Sequence, residues 1–507
     1  MLQIKNLDIN LIKDDRKLFE NFDLALNPGD KVGLIGEEGN GKSILLKALV
    51  DKLELSKYCQ IRGEIHKKDE IIGYLPQSLD EKYLDMEVVS YMGRIIDLNL
   101  LDYNKFYRYL DKFELGEDLI FGNMKLRDLS GGERVKIILL FEILKDPTLF
   151  LFDEPSNNLD YDSLNFLSKI MKKMEIPLIF VSHDPALLRD VANRIVHLEQ
   201  VHRRQSPRHT IFNGPYDIYI GDRENQLRIQ GMRAKKEREE FDKKAARYRK
   251  VYDSVNHAIN ATKNDIEGKN LKDKMASVKA LGKRLDKERE KITLRPDVED
   301  AIGIFFDDEI EIPNSKELLD FKLDELRVGD KKLSENIDLK VIGPEKICLV
   351  GKNGAGKTSL LKEIYKNLRN SKFKVAYMPQ DYSTYLKDTE TAISFLARNG
   401  SKYEKTRVAN LLGSLNFTRQ EMERSLKSLS GGQKAKVFFA KMNIEKAEVL
   451  LLDEPTRNLS PTSQPEIIES LKSYKGAIIA VSHDRDFIRE VFDRVYELDS
   501  KGLRQIN

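Results

Sequence analysis

The chain has 507 residues, 40% hydrophobic and 33% charged, so it holds apolar material for full-size cores and is not a disordered chain. At roughly 150 residues per domain, the length predicts two to four domains. No apolar run approaches the roughly 18–20 residues that a membrane span requires. The two cysteines, Cys59 and Cys348, are too few and too far apart for a disulfide framework, so a reducing cytoplasm is the expected setting. The net charge of +3 says little about partners; its distribution says more.

In chain order, MLQIKNLDIN alternates apolar and polar residues and predicts a first β-strand, not a signal peptide. An apolar strand at 31–35 runs into GEEGNGKS, which predicts a glycine-rich phosphate loop opening a helix. Gly36, Gly39 and Gly41 let the backbone curl its N–H groups inward, and the helix adds its positive end. Lys42 supplies charge to the β/γ-phosphates of a nucleotide, and Ser43 offers a hydroxyl to Mg²⁺. YLPQ, ending at Gln77, follows. LSGGE contains Ser130, Gly131, Gly132 and Glu133, a capping box that also makes an anion-attracting helix start. LFLFDEP reads as a buried parallel strand ending in Asp153 and Glu154. Beside a phosphate loop, the first carboxylate suits the Mg²⁺ shell and the second the polarisation of an attacking water. The plainer reading of such a pair is a helix cap. VSHD brings His183.

Residues 221–291 differ in character, with 21 Lys/Arg against 13 Asp/Glu, a surplus of eight, leaving about −5 elsewhere. Apolar residues at Leu227, Ala234, Phe241, Ala245, Tyr248, Tyr252, Val255 and Ile259 form a heptad seam. A second seam runs through Leu271, Met275, Val278, Leu281, Leu285 and Ile292, and the Asn- and Gly-containing stretch 260–270 predicts a turn between them. Two antiparallel helices are expected, the second shorter. Their basic surplus fits an RNA-rich partner or, more plainly, a solvated coiled coil.

Every motif then returns in order: GKNGAGKT (Gly351, Gly354, Gly356, Lys357, Thr358), YMPQ (Gln380), LSGGQ (Ser430, Gly431, Gly432), LLLDEP (Asp453, Glu454) and VSHD (His483). From lysine to aspartate the spacing is 111 residues in the first copy and 96 in the second, and 59–68 supplies about a hairpin's worth of the difference.

These paired motifs resemble the ABC ATPase family. The resemblance implies an α/β fold with two tandem P-loop ABC domains, over 1–220 and 296–507, joined by an antiparallel helical hairpin over 221–295. It implies ATP and Mg²⁺ as ligands, with two nucleotides sandwiched between the halves. Ser130, Gly131 and Gly132 would complete the site of Lys357, and Ser430, Gly431 and Gly432 that of Lys42. Gln77 and Gln380 match the Q-loop residue, which joins Ser43, Asp153, Thr358 and Asp453 around the metal. His183 and His483 match the switch histidine, acting beside Glu154 and Glu454. More narrowly, the chain resembles the ABC-F subfamily, whose members bind the ribosome at the tRNA exit site. Its second D-loop region, EPTRNLSP, resembles the antibiotic-resistance branch, with lincosamides, pleuromutilins and streptogramin A as the leading drug class. The hairpin tip, with Val255, Asn256, His257, Asn260, Lys263 and Asn264, would then meet rRNA or a P-site tRNA. A housekeeping translation factor and, further off, the ATPase of a drug exporter or a DNA-associated ATPase are the alternatives. A monomer is expected, because both halves are already tethered.

Two departures from the family pattern stand out. Glu37 and Glu38 lie inside the first P-loop, where the family commonly has Asn at the position of Glu38, and carboxylates there should repel a triphosphate unless they point away. Ser460 stands where the D-loop usually ends in Asp. Together they predict two unequal ATP sites.

Overall fold

The structure is a computed structural model, and it describes all residues except 1, 14, 68, 157–158, 202–205, 262–264, 295, 297–305, 307–309, 388, 398–399, 416 and 507, with the side chains of 161, 265, 267, 268 and 383 also left aside. It divides into two compact units, Met1–Tyr216 with Glu299–Asn507, and Asp217–Val298.

In the first unit the sequence repeat becomes a structural repeat. The first half contains β1 (Gln3–Leu11), β2 (Lys17–Ala25), β3 (Lys31–Ile35), β4 (Cys59–His66), β5 (Ile72–Leu75), β6 (Leu149–Asp153), β7 (Leu178–Val181), β8 (Arg194–Gln200) and β9 (Ser206–Asn213). The second contains β10 (Glu317–Val328), β11 (Lys331–Ile342), β12 (Lys346–Val350), β13 (Val375–Met378), β14 (Val449–Asp453), β15 (Ala477–Val481), β16 (Arg494–Asp499) and β17 (Gly502–Gln505). Each half has a six-stranded sheet of one topology, β5-β6-β7-β3-β8-β9 and β13-β14-β15-β12-β16-β17, parallel except for its last strand. The run LFLFD of β6 is buried at every residue, and so is VLLLD of β14. Such two-sided burial is what a central parallel strand requires. The P-loops, the Gln77 and Gln380 segments, the DEP motifs and the VSHD motifs leave the carboxyl ends of these strands, where open α/β sheets bind ligands.

The extra chain at 59–68 is not a separate hairpin. Its strand β4 pairs antiparallel with β1, from Gln3 opposite His66 to Leu11 opposite Cys59, and makes the sheet β2-β1-β4. Among the described residues the second half has the pair β10-β11 there. Alternating residues of β4 turn inward, with Cys59 buried and Ile61 and Ile65 packed on the core. The outer face of β1 supplies the edge that a lone hairpin would lack.

The second unit is the expected pair of helices, Tyr216–Ala261 and Asp265–Glu290, of 46 and 26 residues. At 1.5 Å per residue they are about 69 Å and about 39 Å long. The first begins directly after Pro215, eleven residues before the apolar seam. Proline suits the start of a helix, and the polar residues that follow propagate it without a seam. The expected turn over 260–270 is also shorter: Gly268 and Asn270 lie inside the second helix. A mid-helix Gly costs about 1 kcal/mol, an amount that packing further along the helix overrides. That packing is the cluster of Val255, Met275 and Val278, flanked by Tyr248, Tyr252 and Ile259. Leu281, assigned to the seam, is exposed; its neighbour Gly282 faces inward instead, where an added Cβ would lie 2.6 Å from the Tyr248 hydroxyl. Arg233 and Glu237 pair at 2.7 Å, and Glu237 also accepts from the Thr293 N–H at 2.7 Å, tying the far end of the second helix to the first.

A charge placed in the hairpin core should separate the helices locally. Val255→Asp is expected to speed amide hydrogen exchange over 248–259 and 271–285 by at least roughly tenfold while leaving exchange in the strands of the two sheets unchanged.

Candidate functional site

Both P-loops are built by the same backbone device. Gly36 and Gly351 have φ of 140° and 144°, and a Cβ on either would meet a carbonyl oxygen at 2.1 Å and 2.5 Å. Gly41 and Gly356 cap the helices Lys42–Val50 and Lys357–Arg369 in left-handed conformation, which glycine adopts at least cost. The loops curl around their lysines. Lys42 Nζ donates to the carbonyls of Gly36 at 2.7 Å and Glu37 at 2.9 Å; Lys357 Nζ donates to those of Gly351 at 2.8 Å and Lys352 at 3.0 Å. Burial holds the Lys357 ammonium below its usual pKa, so an anion beside it would be strongly favoured.

The strand ends bring the hydroxyls and carboxylates together. Ser43 Oγ donates to Asp153 Oδ1 at 2.8 Å, and Thr358 Oγ1 to Asp453 Oδ1 at 3.2 Å. The other Asp453 oxygen is buried without a partner. Burial raises the Asp153 carboxyl to about 6 and raises Asp453 as well. Glu154 and Glu454 follow with φ of 48° and 53°, a left-handed geometry that costs of order 1 kcal/mol or more and turns both side chains off the strand line. Gln77 Nε2 donates to Glu154 Oε2 at 2.8 Å, and His183 Nε2 lies 3.3 Å from Glu154 Oε1. His483 Nε2 lies 3.7 Å from Glu454 Oε1. Burial, with Asp453 adjoining, lifts Glu454 to about 8, and burial lowers His483 to about 4.

The signature segments behave as capping boxes. Ser130 accepts from the Glu133 N–H and Glu133 from the Ser130 N–H at 2.8 Å; Ser430 and Gln433 repeat the exchange. Each helix start is turned toward the other half. A cleft of about 770 Å³ is lined by Gly131, Arg134, Ser156, Leu159 and His183 from the first half and by Asn353, Gly354, Gly356, Lys357, Thr358, Gln380, Asp453, Glu454 and His483 from the second. Its outer wall is Val328, Lys331 and Leu333, and none of its described lining residues is a Phe, Tyr or Trp.

At the other pairing, the two departures from the family pattern meet each other. Glu38 Oε2 accepts from the Gly431 N–H, at the very start of the second signature helix. Glu37 is buried and its Oε1 accepts from Ser460 Oγ at 3.1 Å and Ser463 Oγ at 2.7 Å. The carboxylates therefore point across the boundary between the halves. At the pseudo-equivalent place the chemistry is reversed: the Asp160 carboxylate accepts from the backbone N–H of Asn353.

Other contacts across this boundary have no signal in single-strand periodicity. His183 Nδ1 donates to the Leu459 carbonyl at 2.9 Å, which leaves Nε2 as the atom facing Glu154. Gln464 Nε2 donates to the His183 carbonyl at 2.7 Å. Arg189 pairs with Asp486 at 3.2 Å, Arg485 donates to Asn165, and the Tyr216 hydroxyl donates to the Pro461 carbonyl at 3.1 Å. Comparing the two D-loops residue by residue points to Ser460, but nothing in sequence points to Ser463, Gln464 or Arg485.

Of the expected hairpin-tip residues, Asn256, His257 and Asn260 are exposed. Val255 is not at the surface but buried in the hairpin core. A β-branched apolar residue at the seam spacing packs against the partner helix, Met275 and Val278 here, in place of meeting solvent. Lys263 and Asn264 lie outside the described residues.

Residues 19–157 and 334–457 match the family described as ABC transporter. The chain is 28% identical to the "Ribosome protection protein VmlR" of Bacillus subtilis (strain 168), across 97% of this chain and 86% of that protein. It is 27% identical to the "ATP-binding protein Uup" of Escherichia coli (strain K12), across 96% and 79%, and 25% identical to the "ABC transporter F family member 5" of Arabidopsis thaliana, across 94% and 72%. Among solved structures, the archaeal ribosome recycling factor aABCE1, in complex with the ribosomal stalk protein aP1, has the same fold: TM-score 0.61 over 99% of this chain and 90% of that one, at 18% identity.

Because Glu154 accepts from Gln77 at 2.8 Å and has His183 at 3.3 Å, while His483 lies 3.7 Å from Glu454, Glu154→Gln and Glu454→Gln are expected to slow ATP hydrolysis by different factors, read from steady-state turnover. Equal losses would remove the asymmetry. Ser460→Asp sets a second carboxylate against Glu37 and should weaken the association of the halves in ATP, with Glu37→Gln in the same chain restoring it. Small-angle scattering in ATP reads both.

Proposed function

From the premise that the chain belongs to the ABC transporter family, we propose that it is an ABC-F ATPase of the cytoplasm that works on the ribosome and dislodges ribosome-targeting antibiotics. The reading divides the chain into ABC domains over 1–220 and 296–507 with a hairpin over 221–295. One arrangement carries it: two P-loop halves in a single chain, interrupted by a basic helical hairpin, in an alignment with a ribosome protection protein that spans 97% of the chain. No helix among the described residues is long and apolar enough to cross a membrane.

In this reading ATP joins the halves and hydrolysis parts them. Lys42 and Lys357 hold the β/γ-phosphates in their loops, and the opposite signature segments, Ser430–Gly432 and Ser130–Gly132, close over each terminal phosphate. Glu154 and Glu454 take the proton of the attacking water, and His183 and His483 hold the γ-phosphate in line. The donor set of hydroxyl, carboxylate and amide oxygen, with one buried Asp453 oxygen unpartnered, fits Mg²⁺, a hard cation that prefers oxygen. Ser43, Asp153 and Gln77 would hold it in one site, and Thr358, Asp453 and Gln380 in the other. When bound, Mg²⁺ neutralises phosphate charge. The hairpin's eight surplus positive charges give salt-dependent affinity for rRNA, and Asn256, His257 and Asn260, with Lys263 and Asn264, make the tip that meets rRNA or a P-site tRNA end. Lincosamides, pleuromutilins and streptogramin A are the leading drug class.

A second reading is a translation factor without drug protection, which the same P-loop halves and basic hairpin would serve. Co-sedimentation of the Glu154→Gln/Glu454→Gln protein with ribosomes tests the shared part: pelleting in ATP and not in ADP is expected, and none in either nucleotide refutes it. Replacing the tip 256–264 by Gly/Ser separates the two readings when expressed in a drug-sensitive bacterium. Loss of resistance supports drug protection; absence of resistance even with the native tip supports the translation factor.

A further inference from the structure

The N-terminus of a helix carries unsatisfied N–H groups and a partial positive charge, so it draws an anion. In the first unit two such ends, at Gly131 and Gly431, face the P-loop of the opposite half. At the cleft of Lys357 the P-loop residue beside the signature is Asn353, a neutral amide. At the site of Lys42 it is Glu38, whose carboxylate accepts directly from the Gly431 N–H. The chain itself thus supplies an anion at the place where a nucleotide sandwich needs one.

The surroundings hold this carboxylate in place. Glu37 is anchored by Ser460 and Ser463, both fully buried, and its second oxygen lies against Gly432, 3.1 Å from where a Cβ would stand. A Cβ on Gly431 would lie 2.9 Å from the Glu38 oxygen. A D-loop aspartate at position 460 would repel this loop; serine donates to it instead. The negative group that Asp160 contributes to one crossing is contributed to the other by the P-loop. Glu37 and Ser460 are partners across this boundary.

We infer that Glu38 stands in for the terminal phosphate at the Lys42 site. That site closes against its signature helix with or without ATP, and the Lys357 site alone makes closure of the halves depend on the γ-phosphate. This rests on the two-site reading above. A carboxylate and a γ-phosphate compete for one amide, so ATP in the Lys42 site must displace Glu38, whereas ADP, one phosphate shorter, leaves the contact in place.

The test follows closure in solution without ribosomes, by energy transfer between dyes on Glu54→Cys and Lys366→Cys, one in each half; the native Cys59 and Cys348 are buried. With Lys42→Ala removing nucleotide from the first site, ATP is still expected to close the halves. With Lys357→Ala it is not. Adding Glu38→Asn to Lys42→Ala leaves no anion at Gly431, and the closed-to-open ratio should fall by roughly tenfold or more. Glu38→Gln should act the same way. Glu38→Asn with both lysines intact should close in ATP, because the γ-phosphate then fills the place, and that result also establishes that the variant folds. Equal closure of Lys42→Ala with and without Glu38→Asn would overturn the inference, as would failure of Lys42→Ala to close while Lys357→Ala closes. Absence of ATP-driven closure in the unmutated protein would overturn the two-site reading itself, and this inference with it.

Discussion

Two helix starts pointing into the boundary between the halves demand negative charge on the opposite side. Neither Gly131 nor Gly431 has a side chain to intrude, so whatever lies across from each can approach its amide. The opposite P-loop is positioned to present that charge, either by holding a phosphate or by carrying a carboxylate of its own. The fold serves this constraint. Parallel strands buried on both faces fix the carboxyl-end loops, and the helix after each P-loop lysine fixes the loop's curl.

The same boundary explains why so many charged groups here are buried. Asp153, Asp453 and Glu454 all lie in low-dielectric surroundings that favour their neutral forms, and Lys357 lies in surroundings that disfavour its charge. Such a set has little reason to exist for stability alone, because buried charges must be compensated. It is suited to a ligand that brings both negative charge and a hard cation. The left-handed backbone at both Glu154 and Glu454 is a further local cost carried in duplicate. The two halves have nonetheless drifted apart: in partner choice at Glu154 and Glu454, and in which side of the boundary carries the carboxylate.

The hairpin follows a different logic. Its core is thin, with Val255, Met275 and Val278 as its centre, and its exposed surface is mostly charged. It is a pair of long helices with little core of its own. Salt links such as Lys244 to Glu288 at 2.9 Å sit on its surface, where each is worth well under about 1 kcal/mol. Register is therefore set by the apolar seam, including the fit of Tyr248 over Gly282.

Sequence by itself determined the repeat, the two phosphate loops, the capping-box helix starts and the existence of two antiparallel helices. These depend on local spacing, glycine at special backbone angles and apolar periodicity, all of which are written within a few residues. It also marked Glu37, Glu38 and Ser460 as departures. Only the tertiary structure decided that Glu37 meets Ser460 and Glu38 meets Gly431, that Val255 and Gly282 face the hairpin core while Leu281 does not, and that 59–66 adds a strand to β1. Those facts depend on which residues hundreds of positions apart are brought within a few ångströms, and on which of two neighbouring side chains best fills a gap across a helix pair. Spacing along one chain segment carries no record of either.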